Sequence, residues 1–75
     1  MMLSELKLNH KCIIKKLYSK GTIHRRFQDL GFVPGNIVSC VLISPFNNPK
    51  AFKVNGMVLA IRNEDSDLIE VEEIE

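Results

Sequence analysis

Ala51-Phe52-Lys53-Val54-Asn55-Gly56-Met57-Val58-Leu59-Ala60-Ile61 is two runs of strand-forming residues separated by two residues. Asn55-Gly56 is the pair that most readily takes the consecutive positive φ angles of a type I′ turn, so 51–54 and 57–61 are predicted to form a tight hairpin. A lone hairpin is barely stable in water and needs further strands beside it. Downstream, Arg62-Asn63-Glu64-Asp65-Ser66 reads as a polar connection. Leu68-Ile69-Glu70-Val71-Glu72 then alternates, with Ile69 and Val71 inward and Glu70 and Glu72 outward, as in a final strand. Upstream, Asn36 to Ser44 holds Ile37, Val38, Cys40, Val41, Leu42 and Ile43, a run too apolar for one wet face and expected to be a strand buried across a barrel. Pro45-Phe46-Asn47-Asn48-Pro49 ends it. The first strand is expected over Cys12 to Tyr18, with a bulge where the alternation slips at Lys15 and Lys16.

Between Gly21 and Gly31 the period changes. Ile23, Phe27 and Leu30 recur at i, i+4 and i+7, the stripe of a short helix, with Arg25, Arg26 and Asp29 largely outside it. Thr22 is expected to be the N-cap. Gly31 stands where a left-handed residue ends a helix, and Phe32 can reach back to Phe27. Pro34-Gly35 makes the next turn. The sum is a mainly β chain with one or two short helices, a small five-stranded β-barrel that hides its sheet edges.

Size and composition agree with a single domain over 1–75. The 75 residues are 45% hydrophobic and 25% charged, ordinary for a folded domain and far from disorder. Ten Lys plus Arg against nine Asp plus Glu leave a net charge of +1, a weak field for phosphate. With one Tyr and no Trp to stack on bases, a nucleic-acid partner is not expected, and a small-barrel nucleic-acid binder using the early basic residues is the second alternative. Basic residues gather early (Lys7, Lys11, Lys15, Lys16, Lys20, Arg25, Arg26) and acidic ones late (Glu64, Asp65, Asp67, Glu70, Glu72, Glu73, Glu75), a dipolar arrangement. Ile37 to Ile43 is the longest apolar stretch, broken by Ser39, and membrane insertion is not expected. Met1-Met2-Leu3-Ser4-Glu5 lacks the pattern of a signal peptide, so a cytoplasmic location is expected. Cys12 and Cys40 belong to no CxxC or Cys/His cluster.

From Phe27-Gln28-Asp29-Leu30-Gly31-Phe32-Val33-Pro34-Gly35 through Ser44-Pro45 and Asn48-Pro49 to Leu59-Ala60-Ile61-Arg62 and Leu68-Ile69-Glu70-Val71, the chain resembles the ferrous iron transport protein A (FeoA) family. Arg26 to Gly35 is similar to that family's segment built around Leu/Met-Gly and Pro-Gly, Ser44 to Pro49 to its Pro-bounded loop, and Leu59 to Arg62 to its Leu-x-Ile/Leu-Arg. Asn47-Asn48 stands where the family usually has Gly-Asp, and Leu8-Asn9 where it has Pro-Gly; Asn can supply the same turn conformations. The resemblance implies an SH3-like β-barrel, no catalytic residues, and an accessory role beside FeoB, the membrane-bound, GTP-binding ferrous iron transporter, on its cytoplasmic domain. Similar domains also form the C-terminal module of iron-dependent repressors, behind a helix-turn-helix with no counterpart in these residues.

Neither a nucleophile elbow nor a phosphate-cradling glycine motif is present, and an enzyme is not expected. His10 and Cys12, two apart, would share a face in a strand, and with His24, Cys40 or the acidic end they are the alternative that makes this a direct Fe²⁺ sensor or carrier. The preferred reading has no cofactor, buried thiols and surface histidines. Partner binding has better candidates, because loops of small barrels commonly hold peptides or domains. Val33 and Phe46 are the expected exposed contacts, with Asn47 and Asn48 of the same loop and Arg25 and Arg26 on the helix. Leu30, Gly31, Phe32, Pro34, Gly35, Asn55 and Gly56 are assigned structural roles. Self-association of the acidic end with the early lysines of another copy stays open.

Overall fold

A computed structural model describes residues 1–74; Glu75, the last of the acidic series, lies outside the described residues. Seven elements follow a 3-10 turn at Leu3–Glu5: β1 (Lys11–Leu17), α1 (Gly21–Leu30), β2 (Ile37–Ile43), β3 (Lys50–Val54), β4 (Met57–Ile61), α2 (Asn63–Ser66) and β5 (Ile69–Ile74). The strands form one antiparallel sheet in the order β4-β3-β2-β1-β5. Two slips in register bend it: one in β1 between Ile14 and Lys16 against β5, as the lysines predicted, and one in β2 between Cys40 and Leu42 against β3. Bulges of this kind sharpen local twist and curl a small sheet toward closure.

The hairpin forms as read. Asn55 and Gly56 have φ of 50° and 76°, and Val54 pairs with Met57 across the turn. The inner face of the sheet buries Cys12, Ile14, Val38, Cys40, Phe52, Val54, Ile69 and Val71 around Phe27 and Phe32. Full burial of one such aliphatic or aromatic side chain contributes about 1.5–3 kcal/mol.

α1 ends as its sequence dictates. Gly31 has φ +103°, the Phe32 N–H donates to the Phe27 carbonyl at 2.9 Å, and the two rings lie 5.6 Å apart in a tilted pair. Asn36 Nδ2 donates to the Gly31 carbonyl at 2.7 Å and fastens the loop that follows. A second reason for glycine is spatial: a Cβ at residue 31 would meet the side-chain amide of Asn55, which would have to swing aside, and would touch Val54 Cγ2 at 3.5 Å. The helix end therefore rests directly on the hairpin tip.

Three expectations change, and one segment without a sequence assignment proves structural. β2 is not buried on both faces: Val38 and Cys40 go inward, but Ile37 is 54% and Leu42 63% exposed. Its outer face has no layer above it among the described residues, so a strand apolar on both sides is covered on one. Thr22 is not the N-cap; α1 begins at Gly21, with φ +66°, behind an extended Lys20 and with no capping side chain. The polar connection 62–66 winds into α2 and buries Ser66 completely. Finally, the first six residues are structural. Leu3 and Leu6 are fully buried, and the Met1 ammonium donates to the Val71 carbonyl at 3.2 Å while the Val71 N–H donates to the Met1 carbonyl at 2.8 Å.

Replacing Gly31 by Ala should lower unfolding stability by about 2 kcal/mol, from the positive φ together with the collision with Asn55. In an Asn55→Gly background, where the collision is gone, urea unfolding should show the Gly31→Ala cost reduced but not abolished. An equal cost in both backgrounds would show that helix end and hairpin tip do not press on each other.

Candidate functional site

The loop from Ser44 to Pro49 is held from both sides. Within it the Asn47 N–H donates to the Ser44 carbonyl at 2.9 Å, and the Asn48 N–H to Ser44 Oγ at 3.0 Å. Asn47 takes φ 62°, the glycine-like conformation expected of it. From α2, the Asn63 N–H donates to Asn48 Oδ1 at 3.0 Å and Asn63 Nδ2 to the Asn47 carbonyl at 2.8 Å. On this tethered frame Phe46 projects into solvent, 89% exposed. A large aromatic side chain held out on an ordered loop gains nothing for the fold and is the kind of residue that anchors interfaces.

Asn63 escaped the sequence reading. Its two bonds reach residues 15 and 16 positions away, a pairing that no local pattern displays. Val33 is half-buried, while Phe32 and Gly31 are buried in the core, so the Leu30–Gly35 turn offers Pro34 and Gly35 rather than an apolar face. Arg25 and Arg26 are exposed on α1 and make no ion pair among the described residues. Partners of the acidic strand β5 come instead from β1 and its flanks: Lys15 Nζ meets Glu72 at 3.0 Å, His10 Nδ1 meets Glu73 at 3.1 Å, and the Tyr18 hydroxyl donates to Glu70 at 2.7 Å.

The structure does not bring His10 and Cys12 together. His10 precedes β1 and turns outward to Glu73, whereas Cys12 points into the core at 0% exposure. Among the described residues no three His, Cys, Asp or Glu side chains converge as metal ligands. His24 Nδ1 lies 3.0 Å from the hydroxyl of the buried Ser19, a local brace at the start of α1. Burial, followed by the nearby Glu73 charge, pushes the Cys12 thiol up from 9.0 to about 11; burial likewise raises Cys40. Both thiols are free and protonated at neutral pH.

A five-stranded antiparallel sheet curled by two bulges around one core, with its helix packed on the hairpin end, is a small barrel of the SH3-like class. Residues 1–73 match the FeoA domain family, and the chain belongs to it. It is similar to the Fe(2+) transport protein A/Fe(2+) transporter FeoB fusion protein of Porphyromonas gingivalis, 31% identical over 72 residues that cover 96% of this chain and 8% of that protein. The chain thus spans a small fraction of that relative. The solution structure of iron(II) transport protein A from Clostridium thermocellum superposes with a TM-score of 0.93 at 34% identity, over 99% of this chain and 46% of the other. FeoA of Stenotrophomonas maltophilia, a prokaryotic SH3 domain protein crystallised with zinc, gives 0.86 at 29% identity, over 96% and 89%. The family's role is in ferrous iron transport, as an accessory domain. No helix is long and apolar enough to cross a membrane among the described residues.

Because folded Cys12 keeps its proton to about pH 11 while an ordinary thiol loses it near 9.0, its contribution to stability is complete below pH 9 and is lost as pH rises toward 11. Urea unfolding across that window should show stability falling less steeply in Cys12→Ala than in the parent. Parallel slopes would show that the thiol does not titrate with unfolding.

Proposed function

We propose that this chain is a non-enzymatic regulatory module of bacterial ferrous iron uptake that acts in the cytoplasm by binding the GTP-binding domain of the membrane transporter FeoB. The observation that carries this reading is the Porphyromonas gingivalis relative, in which the same kind of domain and the transporter are one polypeptide. Covalent linkage keeps two modules at high effective concentration, which benefits domains that must meet. Phe46 is the anchor of the contact and Asn47 and Asn48 hold its loop in shape, whereas Val33 lies beside the helix stop at the other end of β2 and Arg25 and Arg26 lie on α1, outside this loop. The exposure of Phe46 and the hydrogen bonds from α2 support this assignment. Iron is cargo of the transporter in this reading, and the module needs no metal of its own.

Titrating the ¹⁵N-labelled chain with the cytoplasmic GTP-binding domain of the same organism's transporter should shift amides of 44–49 and of Asn63. Phe46→Asp should weaken binding by about tenfold or more, while its unfolding free energy moves by less than about 0.5 kcal/mol, as expected for a surface position. No shifts with that domain, but saturable anaerobic Fe²⁺ effects around His10, would transfer the function to a metal carrier.

A further inference from the structure

β4 is an edge strand, paired with β3 on one side and with no other strand on its outer side among the described residues. Val54 and Met57 close the two-residue turn as a hydrogen-bonded pair, and Phe52/Leu59 and Lys50/Ile61 follow at every second step. Antiparallel ladders alternate, so Val58 and Ala60 aim their N–H and C=O groups away from β3. No other segment among the described residues bonds to them. The opposite edge is treated differently. β5 is acidic, and Met1 and Met2 bond along it at Val71 and Glu70. β4, Met57-Val58-Leu59-Ala60-Ile61, carries neither charge nor proline, the devices by which natural sheets protect an edge.

Beside this edge runs a groove of about 310 Å³ between α1 and β4. Ile23, Phe27 and Leu30, the apolar stripe of α1, face Leu59 and Ile61 across it. A strand laid along β4 would send every second side chain into that groove. Arg26 stands on the rim, exposed and with no ion-pair partner among the described residues. Arg62 on the same rim is 3.6 Å from Glu64, and Asp65 also lines the groove, while Arg26 has no ion-pair partner within 4 Å among the described residues.

We infer that the β4 edge and its groove form a β-augmentation site for an extended segment of a partner protein, with apolar residues at alternate positions and a carboxylate beside Arg26. A second copy of this chain fits less well. The groove-facing residues of its own β4, Leu59 and Ile61, are packed in its own core and cannot fill the groove. This site is separate from the Phe46 contact and does not depend on it.

The test uses acetyl-Thr-Val-Thr-Glu-Thr-Val-Thr-amide, whose Glu shares the groove-facing side with the two Val, its Glu→Lys counterpart, and two versions N-methylated on the odd or the even residues, each added to the ¹⁵N-labelled chain. The Glu peptide should shift amides of Val58–Arg62 and of α1 and slow hydrogen exchange at Val58 and Ala60 by about tenfold. It should bind about fivefold tighter than the Lys peptide, with the preference reversed by Arg26→Glu. One N-methylated version should lose binding and the other keep it, and Phe46→Asp should change none of this. Shifts without protection of Val58 and Ala60, equal affinity for all four peptides, or protection that grows with chain concentration in the absence of peptide would each overturn the assignment; the last would give the edge to a second copy.

Discussion

The absence of a Cβ at residue 31 is the constraint around which the barrel is assembled. There the end of α1 and the tip of the β3–β4 hairpin approach so closely that any Cβ would push the Asn55 side chain aside, and the same residue supplies the left-handed turn, at φ +103°, that stops the helix. One position thus meets a local and a long-range requirement together. From it follow the seating of Phe32 in the core, the brace from Asn36, and the placement of the α1 stripe opposite β4.

Local chemistry made most of the fold legible. Asn55-Gly56 permits few conformations, and Gly31-Phe32 behind a helical stripe permits few endings, so hairpin and helix stop could be placed by inspection. The slip at Lys15-Lys16 was visible because an alternating strand cannot absorb two outward residues without a bulge. What sequence could not display was coverage. An apolar run says that a strand could be buried, not that another layer exists to bury it, and Ile37 and Leu42 lie on the uncovered side of β2. Leu3 and Leu6 sit in a short segment with no period that repeats long enough to read, and only the fold shows that they join the core.

The candidate site was legible in part for the same reason. Pro45 and Pro49 mark a loop, and Phe46 within it is conspicuous, but whether such a ring folds inward depends on what holds the backbone. The decisive restraint is Asn63, whose partners are adjacent to it only in space. His10 and Cys12 show the opposite failure. Their spacing is that of neighbours on one face of a strand, yet β1 starts between them, after Asn9 has turned the chain at φ 67°, so one faces water and the other the core.

The loop around Phe46 separates what it displays from what displays it. Its shape rests on the backbone, Ser44, the two asparagines and Asn63, and none of these bonds involves the aromatic ring. Position 46 can therefore vary among side chains of different size and polarity at almost no thermodynamic cost, while the frame stays fixed. A chain built this way can drift from one binding partner to another by changes at a single exposed position, so that its evolution of specificity is uncoupled from its ability to fold.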